Sequence, residues 1–140
     1  MIYLDKNNLI THAFERLIDE SSLDFQLTLD NTEAQNIELV KSYIATRYDV
    51  ELIFNQTNPV RNELLVRIIS KLVLYDIVRR NAARKVPSDY TEERDKAMEL
   101  LEKIATGRIK LDGLPLPTDD NGKTLSNTLW GNNTNKNFYI

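Results

Sequence analysis

Hydrophobic residues recur at helical spacing in four parts of the chain and leave a polar face in each. Such stripes are typical of helices that pack one side against a core. Asp5 is placed to cap the first of them, and Gly107 stands where a helix commonly ends. The pattern predicts helices over residues 5–19, 32–48 and 60–84, and from residue 88 or 91 to about residue 106.

Three short stretches have the alternating pattern of extended chain instead. The clearest is LDFQLTLD at residues 23–30, where leucine and phenylalanine alternate with polar residues, as in a half-buried strand or an extended arm. Residues 50–54 and the segment RIKLDG at residues 108–113 show weaker versions of the pattern. The sequence thus predicts a mainly α fold: a small helical bundle with one long central helix and one or two short extended segments.

The helix predicted over residues 60–84 carries apolar residues on more than one face. A helix lying on a surface has a single apolar stripe, so this one is expected to be central and covered on two sides. About 25 residues at a rise of about 1.5 Å each span roughly 37 Å, which is longer than a compact domain of this size needs. Part of its apolar surface is therefore expected to face another subunit.

Beyond Gly113 the helical periodicity stops and asparagine becomes frequent. The chain is accordingly divided into a helical domain, residues 1–112, and an extended C-terminal tail, residues 113–140. A polar segment with sparse large apolar residues is typical of an arm that orders on binding, although a frayed terminus has the same composition. The expected docking residues are Leu125, Leu129, Trp130, Phe138, Tyr139 and Ile140.

The composition narrows the class of protein. The 140 residues include no cysteine, which excludes disulfides, zinc-thiolate sites and cysteine nucleophiles. Neither a signal peptide nor a stretch of about 20 apolar residues is present, so the protein is expected to be soluble and intracellular when made. Apolar and charged fractions of 41% and 28% are ordinary for a folded domain.

Charge is distributed unevenly along the chain. The net charge is −3, yet residues 61–85 hold seven basic residues and two acidic ones. The basic end of the long helix, Arg79, Arg80, Arg84 and Lys85, could complement the helix dipole, contact nucleic-acid phosphates, face a neighbouring subunit or line a channel. An ordinary solvated helix face remains the simplest alternative.

Candidate chemistry is sparse. His12 is the sole histidine, and the acidic pairs are adjacent in sequence, so their side chains would diverge. No phosphate-binding glycine motif occurs, and TDDNG at residues 118–122 has the composition of a turn. We expect no enzymatic activity, no cofactor and no metal.

The block from residue 64 to residue 116 resembles the head-to-tail connector (adaptor) proteins of Mu-like and related tailed bacteriophages. The resemblance is carried by a long apolar helix ending in YDIVRRNA, by a VP turn, and by the helix and strand YTEERDKAMELLEKIATGRIKL. The earlier IELVKSYIATRYDV, with its Arg47 and Tyr48 pair, resembles the second helix of the same family.

The resemblance implies a structural virion protein at the neck of the particle, made in the host cytoplasm. Copies would form a ring, commonly of twelve, that connects the portal protein to the tail and extends the DNA channel. The implied partners are the portal protein, neighbouring copies, a downstream tail or second connector protein, and genomic DNA passing without sequence specificity, with no membrane. The alternative is a small helical interaction or DNA-binding regulatory protein.

Overall fold

A computed structural model describes residues 1–13, 15, 18, 25–80, 86–119 and 121–122. Five helices lie in this part of the chain, and none of its residues forms a strand longer than a single bridge. The prediction of a mainly helical bundle is confirmed. The helices are α1 Lys6–Ile10, α2 Phe25–Ile44, α3 Val50–Ile53, α4 Glu63–Arg80 and α5 Ser88–Ala105.

Helix α4 is the centre of the bundle and packs against α1, α2 and α5. Its prediction as a central helix covered on more than one side is confirmed. No large apolar side chain in this helix is exposed, so the chain itself covers the surface that was expected to face another subunit. The buried residues of α4 are Leu65, Val66, Ile68, Ile69, Ser70, Lys71, Leu72, Val73, Leu74, Ile77 and Val78.

The helix boundaries follow from local capping. The Asp5 side chain caps α1 and accepts from the Asn8 N–H at 2.9 Å, as predicted, but α1 is shorter than residues 5–19. Residues 14, 16, 17 and 19 of that prediction lie outside the described chain. The last helix begins at Ser88, but the prediction that Ser88 or Thr91 caps it is wrong, because Pro87 is the N-cap residue and no side chain makes a capping hydrogen bond there.

The prediction of a strand in LDFQLTLD is wrong where the structure describes it. Residues 25–30 are the first turns of α2, whose later residues carry the helical stripe predicted from residue 32. The alternating leucines do not share a face, because Leu29 is buried whereas Leu27 is 64% exposed. Packing on α4 decides the conformation here, since a short apolar run fits either period.

The extended piece predicted at residues 50–54 is also wrong. These residues form the single turn α3 and its C-cap, and the Asp49 side chain caps the turn by accepting from the Leu52 N–H at 3.2 Å. Ile53 and Phe54 point into the core while Leu52 stays half exposed. Residues 108–113, in contrast, are non-helical as predicted.

The first five residues lie along α2 and are fixed there by one carboxylate. Glu33, which is 1% exposed, accepts hydrogen bonds from the backbone N–H groups of Ile2, Tyr3 and Leu4 at 2.7, 2.9 and 2.5 Å. The Tyr3 hydroxyl continues the connection by accepting from the Asn62 N–H at 2.8 Å, next to the start of α4. We call this contact set the N-terminal clamp.

The C-terminal end of α2 fixes the non-helical chain that follows α5. Arg47 Nε donates to the Ala105 carbonyl at 2.7 Å, and the Tyr48 hydroxyl accepts from the Leu111 N–H at 2.8 Å. The backbone N–H of Asp49 donates to the Pro115 carbonyl at 2.9 Å. We call these three hydrogen bonds the C-terminal clamp.

No helix in the described part of the chain is both long enough and apolar enough to cross a membrane.

Candidate functional site

The basic end of α4 is partly described. Arg79 and Arg80 lie in the last turn of the helix and both are exposed, whereas Arg84 and Lys85 lie outside the described residues. Cations in this position complement the negative end of the helix dipole. Arg80 Nη1 also donates to the buried Thr28 hydroxyl of α2 at 2.5 Å, which fixes its guanidinium against the bundle. Arg79 is therefore the side chain at this end best placed to contact a partner.

The other basic residues of the region do not extend this surface. Arg67 is exposed, but it precedes Arg79 by 12 residues, which places the two about 18 Å apart along the helix axis. Lys71 is buried and forms an ion pair with Glu93 of α5. The basic residues of this region therefore do not form one continuous surface. Arg67 and Arg79 lie far apart along α4, and Lys71 is buried.

A polar cavity of about 260 Å³ lies beside that ion pair and is bordered by His12, Lys71, Asp89, Tyr90 and Glu93. Burial, together with the charges of Lys71 and Arg67, holds the pKa of His12 below its ordinary value of 6.5. The hydrogen bond from Lys71 holds the pKa of Glu93 below 4.5. The cavity therefore contains one fixed ammonium–carboxylate pair and a neutral imidazole near neutral pH.

The arrangement around His12 supplies no recognisable catalytic set. His12 is exposed, as predicted for a surface helix residue, although it lies in the turn after α1. Within residues 1–13, 15, 18, 25–80, 86–119 and 121–122, no three His, Asp or Glu side chains are placed to hold a metal ion.

A groove of about 600 Å³ that is lined by uncharged residues lies beside the C-terminal clamp, and Pro115 of the clamp forms part of its wall. We call it the α3 groove; its walls come from α3, the loop after it, and the chain around Leu114. Sequence reasoning missed it because the two walls are more than 50 residues apart in the chain. The exposed Leu52 in a helical turn was the one feature that could have indicated it.

The predicted docking residues of the tail all lie outside the described chain: Leu125, Leu129, Trp130, Phe138, Tyr139 and Ile140. The first part of the predicted tail is described and packs on the helical domain, because Leu114 is 8% exposed and belongs to the hydrophobic core. The separate docking role of the remainder stays a prediction.

Comparison with known families gives one match. Residues 5–127 match the model of the family described as Bacteriophage Mu, Gp36, a span that includes all five helices. The resemblance to Mu-like phage proteins that the sequence suggested is therefore confirmed. No curated protein sequence matches the chain.

Proposed function

We propose that this chain, which belongs to the Bacteriophage Mu, Gp36 family, forms a ring that connects the phage portal to the tail and extends the DNA channel. Family membership supports the broader statement that it is a phage structural or assembly protein. The connector role is more specific and depends on the surfaces of the folded subunit.

The observation that carries the proposal is the presence of opposite charges on different exposed surfaces of one small body. The outer face of α5 has a net acidic character: Glu92, Asp95, Glu99 and Glu102 are exposed at helical spacing, and of these Asp95 and Glu99 form ion pairs with Arg94 and Lys103 of the same helix. The end of α4 exposes Arg79 and Arg80. A subunit with two complementary surfaces makes head-to-tail contacts with copies of itself, and a rotation that closes turns such contacts into a ring.

Two further parts of the proposal concern the partners. The alternative position of the exposed arginines of α4, along or beside the DNA channel, would let these cations attract phosphates without selecting a sequence. The C-terminal segment, through Trp130 and its neighbouring large apolar residues, would dock on the portal and order as it binds.

Electron microscopy of the purified protein mixed with its portal protein tests the proposal. We expect an added ring beneath the portal for the full chain, and no added ring for a chain truncated after Leu116. Normal incorporation of the truncated chain would exclude portal docking by the tail.

The charge contact has its own test. Arg79→Glu should reduce ring formation because it places an acid against the acidic face of the neighbour. The matched control is Arg108→Glu, an exposed arginine beyond the end of α5. Equal ring formation by both variants would contradict the head-to-tail arrangement.

The alternative of a DNA-binding regulatory protein is favoured only by the exposed arginines at the end of α4. It predicts binding of the isolated subunit to duplex DNA, with an affinity that falls steeply with salt and is lost in Arg79→Glu. A ring on the portal without such binding by the free subunit would favour the connector.

A further inference from the structure

The α3 groove is apolar at its base and uncharged at its rim. Leu52, Val60, Leu114 and Pro115 provide the apolar surface, and the rim carries the amides of Asn55 and Asn58. Leu52 is 51% exposed, whereas the two residues that follow it, Ile53 and Phe54, enter the core. None of the residues that line the groove carries a formal charge.

Hydrogen bonds fix both walls of the groove. In the loop after α3, Asn55 Oδ1 accepts from the N–H groups of Thr57 and Asn58 at 2.9 and 3.0 Å. On the opposite wall, the Pro115 carbonyl accepts from the Asp49 N–H at 2.9 Å. A groove with fixed walls loses little conformational freedom when it is filled, which favours binding of an apolar segment.

The chain turns back shortly after it leaves the groove. The Gly122 N–H donates to the Asp119 carbonyl at 2.9 Å, and Asp119 Oδ1 accepts from the Asn121 N–H at 3.0 Å. Gly122 has a φ of +77°, a left-handed conformation that suits glycine in a turn.

The composition of the segment after the turn matches the groove. Eighteen residues follow Gly122, which is ample length to reach a site seven residues earlier in the chain. Residues 124–135 contain no charged side chain, and they include Leu125, Leu129 and Trp130 between small and amide residues. An uncharged segment loses no charge solvation when it enters an uncharged groove.

We infer that the α3 groove is the binding site for residues 124–130 of the same chain, with Leu129 or Trp130 packed against Leu52 and Val60. This intramolecular contact does not depend on the connector role. A partner that binds the C-terminal segment must then compete with the groove for it.

Fluorescence tests the inference directly, because Trp130 is the single tryptophan of the chain. In the full-length protein we expect Trp130 emission at shorter wavelength, and weaker quenching by acrylamide, than in the urea-unfolded chain. Leu52→Asp should shift both toward the unfolded values. The matched control is Leu27→Asp, since Leu27 is a similarly exposed leucine on α2, 64% exposed and away from the groove.

Far-ultraviolet circular dichroism establishes that both variants keep their helices. Full exposure of Trp130 in the unmodified protein would overturn the inference. An identical response of the two aspartate variants would do the same.

A disulfide distinguishes the same chain from a second copy as the source of the segment. The protein has no cysteine, so Leu52→Cys combined with Leu129→Cys introduces one possible pair. We expect a monomeric cross-linked product whose yield does not depend on protein concentration, and little cross-linking for Leu27→Cys with Leu129→Cys. Cross-linked dimers as the main product would overturn the intramolecular assignment, whatever the outcome of the portal experiment.

Discussion

The middle of α2 and the residues just after its end each hold a non-helical segment of the chain, but they do so in different ways. At the N-terminal clamp one buried carboxylate, Glu33, accepts three backbone hydrogen bonds. At the C-terminal clamp three separate groups, on Arg47, Tyr48 and Asp49, make one hydrogen bond each. The comparison indicates that the first attachment concentrates three backbone hydrogen bonds on a single side chain, beside the contacts of the Tyr3 hydroxyl and of the N-terminal ammonium with Asp30, whereas the second spreads its hydrogen bonds over three residues.

The largest effect is expected for Glu33→Ala. It removes the acceptor of three backbone N–H groups, two of them buried, and should lower the free energy of unfolding by about 4 kcal/mol. Urea unfolding measures the change. Glu38→Ala, an exposed acid on the same helix, should change stability by less than about 0.5 kcal/mol. A small effect at Glu33 would mean that water replaces the carboxylate.

A smaller loss, about 2 kcal/mol, is expected for Gly107→Ala in the C-terminal clamp. Gly107 has a φ of +80°, and an added Cβ would lie 2.6 Å from Arg47 Nη1, so the guanidinium would have to move away from the Ala105 carbonyl. Gly113→Ala is the control, because its φ is +77° but nothing lies within 4 Å of the added Cβ. Equal losses in the two variants would show that the Arg47 contact adds nothing.

Removal of one hydroxyl from the C-terminal clamp should have a more modest effect. Tyr48→Phe leaves the buried Leu111 N–H without its acceptor, at a cost of about 1 kcal/mol. Tyr43→Phe, at a half-buried tyrosine near the end of α2, is the control and should change stability little. If the three hydrogen bonds of the C-terminal clamp act independently, hydrogen exchange at the Leu111 N–H should increase in Tyr48→Phe while exchange in α5 stays slow.

The smallest change in stability is expected at a buried charge that pairs with a side chain and not with the backbone. Lys71 is buried against Glu93, and Lys71→Met removes that charge but keeps much of the volume, so the change should be within about 1 kcal/mol at neutral pH. A loss of stability as large as that for Glu33→Ala would show that this ion pair contributes as much as the three backbone hydrogen bonds of Glu33.

The same pair gives a pH dependence of defined sign. The pKa of Glu93 is below 4.5 in the folded protein, so the unfolded chain binds its proton more readily. This contribution to stability is present above pH 4.5 and is lost as pH falls through the lower folded value. Unfolding measured across this range should show a smaller acid loss for Lys71→Met than for the unmodified chain.

Sequence reasoning predicted the parts of the fold that depend on a long, uninterrupted period. The central position of α4, the start of α5 at Ser88 and the cap at Asp5 follow from apolar spacing and local hydrogen bonding. Residues 25–30 were misassigned because a short apolar run fits either period, and the packing of α2 on α4 and α5 selects the helix.

The candidate site was predicted less completely than the fold. The exposed end at Arg79 and Arg80 was indicated by charge alone, and it is exposed in the structure. The inward positions of Lys71 and Glu33 were missed, because their partners lie 22 and about 30 residues away in sequence. A lysine within an otherwise apolar helix was the available indication for Lys71.

The absence of an exposed large apolar side chain on α4 has a consequence for assembly kinetics. In the described part of the chain, a central helix that is already covered leaves charged helix ends and short grooves as the surfaces on which other proteins could bind. Small contacts dissociate quickly, so a subunit that arrives in the wrong orientation leaves before others can trap it. Only an arrangement that several contacts hold at once would persist, and this selects a correctly ordered assembly without a dedicated proofreading step.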